Sequence, residues 1–314
     1  MVHAITTLTL NPALDVACDA PELVPVRKIR TSHTTLDPAG GGVNVARVLH
    51  ELGGDVRAVL MSGGVIGSYI EDLLRQQGIA VCGVPIAGTN RISMAVRDMS
   101  SGQEYRFLPA GPQVSLAEFA ACRAAVAAEA SPWLVLSGSL PPGVPVDGYA
   151  EISRDAARRG QQVVLDAAGP ALRAGLGTGL ALIKPSLEEF EELVGCRLPD
   201  AAAQDAAALG LVRQGAAARI AVSLGEDGAM LATADGVWRM GVLPVKAIGA
   251  VGAGDSFVAA MVLALSRGAA PREALAWGSA AGAAAVTASG TAHPPRALVE
   301  TLYQQALSIE AHSR

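Results

Sequence analysis

A short segment before a predicted helix combines small residues with a carboxylate. The segment AVGAGDSFVAA, residues 250–260, contains Gly252, Ala253, Gly254 and Asp255 in succession. Small residues leave the backbone N–H groups of a helix start open to an anion, and a neighbouring carboxylate can accept a proton from a substrate hydroxyl group. Asp is also a favoured helix N-cap, and glycines allow a tight turn. The segment alone leaves a catalytic base and a structural cap as alternatives for Asp255.

A second glycine run, PAGGGVNVARVLHELG at residues 38–53, also precedes a helical pattern. Its spacing does not match the G-x-G-x-x-G fingerprint of dinucleotide-binding folds, and no acidic residue follows at the distance that a ribose contact requires. The amide of Asn44 can both donate and accept hydrogen bonds, which suits sugar hydroxyl groups. The pattern therefore indicates either a site for a hydroxylated ligand or a tight helix start.

Lysine is scarce in this chain, because only Lys28, Lys184 and Lys246 stand among the 24 lysine and arginine residues. Since Arg serves almost everywhere else, a retained Lys indicates a place where a compact point charge matters. A solvated surface position is the alternative for each of the three. None of them follows a glycine, so the Gly-Lys-Ser/Thr core of a P-loop is excluded.

From about residue 131 the chain alternates between short apolar runs and helical stretches. Apolar strands separated by amphipathic helices predict a parallel sheet covered on both faces, and such folds bind ligands beyond the carboxyl ends of their strands. The polar and small residues at those ends are Ser137, Gly138, Ser139, Asp166, Lys184, Ser223 and Gly225. We therefore expect an α/β fold with its ligand site among these residues.

The N-terminal third departs from this rhythm. Its segments VPVRKIRTSHTTL and RISMAVRDMSSGQEYRFLP are typical of short alternating strands joined by turns. We expect an antiparallel β lid over the strand ends, with strands within about residues 16–36 and 90–108. The exposed face of such a small sheet needs a partner surface, which predicts a homodimer through the lid. No long linker or repeat divides the chain, so we expect residues 1–314 to form a single domain.

Composition narrows the classes of function. With 314 residues, 51% of them hydrophobic, the chain can bury a substantial core. A net charge of −5 and the lack of basic clusters predict no nucleic-acid partner. The longest apolar stretches are shorter than a bilayer span and the opening MVHAITTLTL lacks a basic region, so we expect no membrane anchor and no secretory signal. Four scattered cysteines are typical of reduced thiols in a cytoplasmic protein.

Six segments occur together in a characteristic order. They are TLTLNPALD (7–15), GGGVNVARVLHELGG (40–54), SGSLPPGVP (137–145), KPSLEE (184–189), SLGEDG (223–228) and VGAGDSFVAAM (251–261). In order and spacing they resemble the phosphofructokinase B branch of the ribokinase-like sugar kinases, from end to end of the chain. Within that branch the chain looks most like 6-phosphofructokinases of the isozyme 2 type, because 1-phosphofructokinases and tagatose-6-phosphate kinases typically carry Lys where this chain has Gly41. The resemblance implies a ribokinase-like layered α/β fold, with a mainly parallel sheet between helices and a small β lid.

The resemblance also implies a reaction, the transfer of the γ-phosphoryl group of ATP to the 1-hydroxyl group of fructose 6-phosphate. Phosphoryl transfer needs in-line positioning and neutralisation of the transferred charge more than covalent chemistry. The backbone N–H groups of Gly252, Ala253 and Gly254 would form the anion hole, and Asp255 would be the catalytic base. A cap role for Asp255 can coexist with that function.

For the sugar phosphate, the resemblance assigns residues at two places. Those that would hold sugar hydroxyl groups are Asp15, Gly40, Gly41, Asn44 and Ser139. Four cations of the expected lid, namely Lys28, Arg30, Arg91 and Arg106, would converge on the phosphate that the sugar already carries. Arg binds such a group bidentately. A solvated charged strand face is the alternative for these four residues.

The resemblance assigns eight residues to the nucleotide site. They are Lys184, Ser186, Ser223, Gly225, Gly228, Ser279, Gly282 and Ala283. The last three would line the adenine, although close helix packing also explains small residues in an Ala-rich segment. Glu189 would help to hold Mg²⁺ through water, because this ion keeps several waters and takes few carboxylates. Ala247, Val251 and Ser289 match a monovalent-cation site in relatives, which makes K⁺ activation a hypothesis.

Three positions depart from the family pattern. Ser186 replaces the usual Asn in the element that includes Glu189, and its shorter side chain would reach the Mg²⁺ hydration shell only through another water. Ala39 replaces a Gly and Ala250 replaces a Thr or Ser, but neither change removes a catalytic group. The alternatives are therefore a 1-phosphofructokinase, a tagatose-6-phosphate kinase or an inactive sugar-phosphate sensor. The intact GAGD motif speaks against the sensor, which would need no base.

Overall fold

Strands and helices alternate along this computed structural model, which describes residues 4–249, 251–287 and 293–311. The strands are β1 (Ile5–Thr9), β2 (Ala13–Ala20), β3 (Ser32–Ala39), β4 (Val56–Ser62), β5 (Ala80–Pro85), β6 (Arg91–Asp98), β7 (Glu104–Phe107), β8 (Trp133–Ser137), β9 (Gln162–Asp166), β10 (Leu180–Ile183), β11 (Arg219–Ser223), β12 (Ala229–Thr233) and β13 (Gly236–Met240). The helices are α1 (Gly41–Glu51), α2 (Gly64–Gln76), α3 (Leu116–Ala128), α4 (Gly148–Arg158), α5 (Gly169–Gly175), α6 (Leu187–Val194), α7 (Ala201–Arg213), α8 (Ala253–Ser266), α9 (Pro271–Ala285) and α10 (Arg296–Ala311).

The central sheet has the strand order β13-β12-β11-β10-β9-β8-β1-β4-β5. The strands from β11 through β5 are parallel to one another, and β12 is antiparallel to both of its neighbours. One apolar cluster lies between the sheet and α1, α2, α8, α9 and α10, and a second lies between the other face and α3 to α7. Strands buried on both faces explain the continuous apolar runs of the sequence. The predicted layered α/β fold is confirmed.

A separate four-stranded sheet, in the order β3-β2-β6-β7, is the predicted lid. The pairs β2–β3 and β6–β7 are antiparallel, whereas β2 and β6 run parallel because the passage through β4, α2 and β5 returns the chain to the same end. Residues 21–31 form a loop between β2 and β3, although a strand was predicted from residue 25. Pro21 and Pro25 lack the N–H group that a strand ladder needs.

The carboxyl ends of the parallel strands meet at one edge of the central sheet. Ser137 at the end of β8 is paired with Asp166 at the end of β9, and Ser186 after β10 forms a bridge with Ser223 at the end of β11. The helices α1 and α8, which follow the two glycine motifs, pack against each other at this edge. None of the helices in the described part of the chain has the length and apolar character that a membrane crossing requires.

Candidate active site

The first glycine motif packs against the ends of two central strands. Gly40 has a φ of +114°, a backbone conformation that favours glycine, and α1 starts at the next residue. A Cβ atom on Gly41 would lie only 2.7 Å from the backbone nitrogen of Gly138, and one on Gly42 would overlap the carbonyl oxygen of Leu8. Glycine therefore lets the start of α1 approach β1 and β8 closely, which brings its bare backbone to the carboxyl edge of the sheet.

Asn44 and Asp255 join the two glycine motifs. Nδ2 of Asn44, in the first turn of α1, donates a hydrogen bond of 2.9 Å to Oδ2 of Asp255, in the first turn of α8. Oδ1 of Asn44 is buried and has no hydrogen-bond partner within the described ranges. The N-cap of α8 is Gly252, and no side chain caps this helix. The interpretation of Asp255 as a structural cap is therefore wrong, because the carboxylate faces Asn44 and not the helix start.

The electrostatic environment of Asp255 differs from that of an ordinary carboxylate. Burial, with a contribution from the negative charge of Asp166, raises the pKa of Asp255 to about 7. The hydrogen bond from Asn44 and the charge of Lys184 oppose this shift without cancelling it. A carboxylate with a pKa near neutrality is suited to take up a proton during a reaction, because it binds that proton more tightly than an exposed Asp would.

Lys184 brings a buried positive charge to the start of α8. Its side chain follows β10 and is 8% exposed, and Nζ lies 3.3 Å from Oδ1 of Asp166. A methyl group at position 254 would lie 3.3 Å from Nζ, so the ammonium group is beside the backbone of Gly254. Burial by itself lowers the pKa of Lys184, but the carboxylates of Asp166, Glu189 and Asp255 outweigh it and raise the pKa. The lysine therefore remains charged at neutral pH.

Asp166 belongs to this cluster, although the sequence resemblance gave it no role. One of its oxygens faces Lys184, and Oδ2 accepts a hydrogen bond of 3.3 Å from Oγ of Ser137. Its charge also acts on Asp255. The signal that could have identified Asp166 was its place at the end of β9, next to the polar ends of β8 and β10.

Asp15, in β2 of the lid, is held by a serine that the sequence analysis did not single out. Ser93 of β6 lies opposite Asp15 in the lid sheet, and its hydroxyl group donates a hydrogen bond to Oδ1 of Asp15. Burial raises the pKa of Asp15, while the bond from Ser93 and the charge of Arg106 act in the opposite direction. Sequence reasoning missed Ser93 because the parallel β2–β6 pairing joins strands that are distant along the chain.

Arg91 lies at the start of β6, opposite Ala13, and its guanidinium group is fixed by backbone oxygens. Nη1 donates to the carbonyl oxygen of Pro109 at 2.8 Å, and Nη2 donates to that of Asn11 at 3.1 Å. Nη2 also lies 3.5 Å from Oγ of Ser139. The structure therefore brings Arg91 and Ser139 together, as predicted for a common phosphate and sugar site.

Two of the four predicted lid cations do not lie in this group. Lys28 and Arg30 flank Ile29, which packs against Cys18, Ala20 and Val96 at the opposite end of the lid from Arg91. The expected convergence of all four cations within one chain is therefore wrong, because β2 carries the chain away from the site before the loop begins. Arg106 is exposed on β7 and acts on Asp15 through its charge.

Ser186 and Glu189 form a reciprocal cap at the start of α6. Oγ of Ser186 accepts a hydrogen bond of 3.2 Å from the backbone N–H of Glu189, and Oε2 of Glu189 accepts one of 2.8 Å from the backbone N–H of Ser186. This capping box satisfies two N–H groups of the helix start. It holds the Glu189 carboxylate near the ammonium group of Lys184.

The remaining predicted nucleotide residues lie around the ends of β11 and α9. Gly225 and Gly228 have φ values of +62° and +90° in the turn between β11 and β12, which follows Ser223. Oγ of Ser279 is buried, and no described residue bonds to it. Gly282 faces the start of α8, since a Cβ atom there would lie 3.4 Å from the carbonyl oxygen of Ala253. Ala283 is half-buried beside it on α9.

Metal and monovalent-cation sites were also expected. Within the described ranges no group of three or more His, Cys, Asp or Glu side chains could hold a metal ion. Ala247 is exposed in the segment after β13, Val251 is half-buried before α8, and Ser289 lies outside the described residues, as does Ala250. Lys246 is exposed in the same segment as Ala247.

Comparison with known proteins gives relatives that span nearly the whole chain. The model of the pfkB family carbohydrate kinases matches residues 9–297. The ATP-dependent 6-phosphofructokinase isozyme 2 of Mycobacterium tuberculosis is 39% identical over 304 residues, covering 96% of this chain and 89% of that protein. The protein of the same name from Escherichia coli is 37% identical over 289 residues, covering 91% of this chain and 94% of that protein.

Solved structures agree with these matches. Phosphofructokinase-2 from Escherichia coli in complex with potassium has a TM-score of 0.93 at 35% identity, covering 98% of this chain and 100% of that chain. The same protein in complex with fructose-6-phosphate has a TM-score of 0.91 at 34% identity, and its tetrameric inhibited form has 0.92 at 35%, both with the same coverage. The fold, the paired glycine motifs at one sheet edge and these similarities together show that the chain belongs to the pfkB family of carbohydrate kinases.

Proposed function

We propose that this chain transfers the γ-phosphoryl group of ATP to the 1-hydroxyl group of fructose 6-phosphate. The observation that carries the proposal is the place of Asp255, whose carboxylate lies in the first turn of α8, bonded to Asn44 and close to Lys184. A base, an amide that can bind hydroxyl groups and a positive charge thus share one edge of the sheet. The relatives named ATP-dependent 6-phosphofructokinase support this choice of donor and acceptor.

Asp255 is the proposed catalytic base. Its carboxylate would take the proton of the sugar hydroxyl group while that oxygen attacks the γ-phosphorus atom. The backbone N–H groups of Gly252, Ala253 and Gly254 lie in the first turn of α8 or just before it, where helix N–H groups lack partners within the helix. They would stabilise the negative charge on the transferred group, together with Lys184.

We expect kcat to depend on the ionisation of Asp255. Because only the carboxylate form accepts a proton, kcat should rise with pH until about 7 and level off above it. Well below the pKa the rate should fall about tenfold for each pH unit. Initial rates at saturating substrates between about pH 5.5 and 8.5 would test this. A profile that is flat across this range would argue against Asp255 as the base.

The acceptor would bind between the lid and the first glycine motif. Asp15, Asn44 and the backbone of Gly40 and Gly41 are proposed to bind sugar hydroxyl groups, with Ser139 beside them. Arg91 and Arg106 are proposed to bind the 6-phosphate, since they are the predicted lid cations that lie near Asp15 and Ser139. The solved complex of the Escherichia coli protein with fructose-6-phosphate supports a sugar phosphate of this kind.

The nucleotide would lie along α8 and α9. Ser223, Gly225 and Gly228 are proposed beside the phosphates, and the adenine would contact Ser279, Gly282 and Ala283. The unpartnered hydroxyl group of Ser279 is in keeping with a polar ligand atom. K⁺ activation remains a proposal, supported by the potassium complex of the Escherichia coli protein.

The residues near the phosphate site fit a hydrated Mg²⁺. The Glu189 carboxylate uses Oε2 for the cap of α6, which leaves Oε1 to accept a hydrogen bond from a water molecule on the ion. Ser186 would contribute its hydroxyl proton to the same water shell, because Oγ already accepts from the backbone of Glu189. Bound Mg²⁺ would neutralise charge on the nucleotide phosphates. This chain's share in the site is the orientation of the water shell by one carboxylate.

The experiment that tests the proposed function is an ADP-release assay with MgATP and five acceptors. These are fructose 6-phosphate, tagatose 6-phosphate, fructose 1-phosphate, fructose and ribose, compared by kcat/KM. Preference for fructose 6-phosphate would support the assignment. Best turnover of tagatose 6-phosphate or fructose 1-phosphate would replace the acceptor but keep the kinase, whereas no turnover of any acceptor would favour the sensor.

We also propose that the chain forms a homodimer through the outer face of the lid. Strand register places the apolar side chains of the lid on the face opposite to Asp15 and Ser93. Those exposed by 41 to 56% are Leu36, Ile92, Met94, Tyr105 and Phe107. An apolar patch of this kind marks an interaction surface. We treat residues 1–314 as one kinase domain in the cytoplasm, which the four free thiols support.

The double variant Ile92→Glu/Met94→Glu should convert the dimer into monomers. Two buried, unpaired carboxylates in an apolar interface would cost more than the interface gains. Light scattering coupled to size-exclusion chromatography would measure the mass. Val65→Glu is the matched control, because Val65 is 83% exposed on α2 and the variant should remain dimeric. A wild-type monomer, or a double variant that stays dimeric, would contradict the lid interface.

A further inference from the structure

Asn11 is a buried polar residue to which neither the sequence motifs nor the proposed chemistry assigns a role. It follows β1 at the carboxyl edge of the sheet and is 3% exposed. Its Nδ2 donates hydrogen bonds to the carbonyl oxygen of Ala110 at 2.8 Å and to Oγ of Ser139 at 3.2 Å. Ala110 lies on the segment that returns from the lid to α3, and Ser139 lies on the loop after β8. One side-chain amide thus joins the lid to the acceptor loop.

The orientation of this amide is determined by its neighbours. The carbonyl oxygen of Ala110 can only accept, so the NH₂ group and not the oxygen of Asn11 must face it. Oδ1 of Asn11 is buried without a partner in the described part of the chain and lies against Gly111. Gly111 has a φ of +104°, and any Cβ atom there would overlap Oδ1. The return segment is therefore shaped around the side chain of Asn11.

The same arrangement determines what Ser139 can offer a ligand. Its Oγ accepts from Nδ2 of Asn11 and lies 3.5 Å from Nη2 of Arg91, so both neighbouring protein groups are donors. A hydroxyl group whose oxygen accepts from the protein has its own proton left to donate. Ser139 is exposed towards the proposed acceptor site. Its proton is therefore available to an oxygen atom of the sugar phosphate.

We propose that Asn11 is a positioning residue for the acceptor. It fixes the Ser139 hydroxyl group so that the hydroxyl donates to a sugar-phosphate oxygen, and it ties the returning lid segment to the end of β1. This inference rests on the proposed function, because the ligand of Ser139 is the proposed acceptor. Arg91 adds a second tie to the same segment through Pro109, but that tie uses only backbone oxygens and survives a change in the side chain of Asn11.

Two variants test the proposal by steady-state kinetics. Asn11→Ala should raise KM for the sugar phosphate about tenfold, the loss expected for one well-oriented hydrogen bond, with kcat and KM for ATP changed by less than about twofold. Asn11→Asp should raise that KM at least as much. It keeps the shape of the side chain but repels the carbonyl of Ala110 and draws the Ser139 proton away from the ligand. An unchanged KM in both variants would overturn the proposal.

A double-variant cycle separates positioning from general damage. If Asn11 acts through Ser139, adding Asn11→Ala to Ser139→Ala should raise KM by less than about twofold. Full additivity of the two changes would overturn the proposal. Gln161→Ala is the control, because Gln161 is also a buried amide, donating to the carbonyl oxygens of Glu129 and Ser131 before β8 and β9. It should lower thermal stability without a change in KM.

Hydrogen exchange gives a readout that does not depend on the acceptor. In the absence of ligands, the amides of residues 110–113 should exchange faster in Asn11→Ala than in the wild type, and Gln161→Ala should leave them unchanged. If the wild-type protein phosphorylates none of the acceptors, the proposed function fails while this measurement still tests the tie to the lid. Equal exchange in Asn11→Ala and wild type would overturn that tie.

Discussion

Replacing Asp255 by Asn is expected to lower kcat by about a thousandfold, the range that removal of a general base produces. Asn has nearly the same shape as Asp, and its side-chain oxygen can still accept the hydrogen bond from Asn44. The geometry of the two glycine motifs should therefore persist, and binding of the sugar phosphate should change little. Steady-state rates and sugar-phosphate affinity, measured on the same preparation, would separate the two effects.

The control for this variant is Asp205→Asn, which removes a carboxylate from the ion pair with Arg239 outside the proposed active site. It should keep the wild-type rate. A near-normal kcat for Asp255→Asn would exclude the proposed mechanism, whereas a lost affinity for the sugar phosphate would indicate that Asp255 holds the acceptor more than it serves as a base.

The same variant should also change the pH dependence of stability. Between the ordinary pKa of an Asp, 3.8, and about 7, folded Asp255 retains a proton that the unfolded chain has lost. Its contribution to stability therefore falls as the pH rises through this window and is level above it. Since Asn is neutral throughout, Asp255→Asn should gain stability relative to the wild type towards pH 8 and lose that advantage towards pH 4, which thermal melts can measure.

Replacing Lys184 by Met should lower kcat/KM for ATP by about a hundredfold to a thousandfold, because it removes a buried positive charge beside the proposed anion hole. It also leaves Asp166 without its ion-pair partner. The charge of Lys184 lowers the pKa of Asp255, so its loss should move the rise of kcat to a higher pH. Rates measured across the pH range would report both changes.

Lys246→Met is the matched control for Lys184→Met, since Lys246 is an exposed lysine in the segment after β13. It should leave both kcat and the pH profile unchanged. If Lys184→Met lowered the rate but left the pH profile in place, the lysine would act on the nucleotide without influencing the base. If it left kcat/KM for ATP intact, the proposed nucleotide site would be wrong.

The positions of the two glycine motifs could be predicted from the sequence because glycine and helix-start patterns are local. The bond between Asn44 and Asp255 could not, since it joins residues far apart in the chain through the packing of α1 on α8. The order of the strands was also hidden, and with it the pairing of Ser93 with Asp15. The sequence pattern identified Asp166 as a strand end, but only the sheet order placed it against Lys184.

The lid cations show the limit of motif matching. Arg91 lies near Ser139 as predicted, because it starts a strand next to β2, whereas Lys28 and Arg30 follow β2 to its far end. Matching residue types could not distinguish these cases, because the direction of a strand decides at which end its neighbours lie. Ser186 shows a different limit: its role in the cap of α6 follows from local geometry that a family comparison does not consider.

The place of β1 in the central sheet affects how the protein folds during synthesis. Ile5 pairs with Val56 on one side and with Trp133 on the other, so the middle of the sheet waits for a strand made much later. Until β8 leaves the ribosome, one edge of β1 and its apolar face lack their native partner. Pairings so distant in the chain slow folding. We therefore expect nascent chains that end before residue 133 to depend on chaperones that cover exposed strand edges.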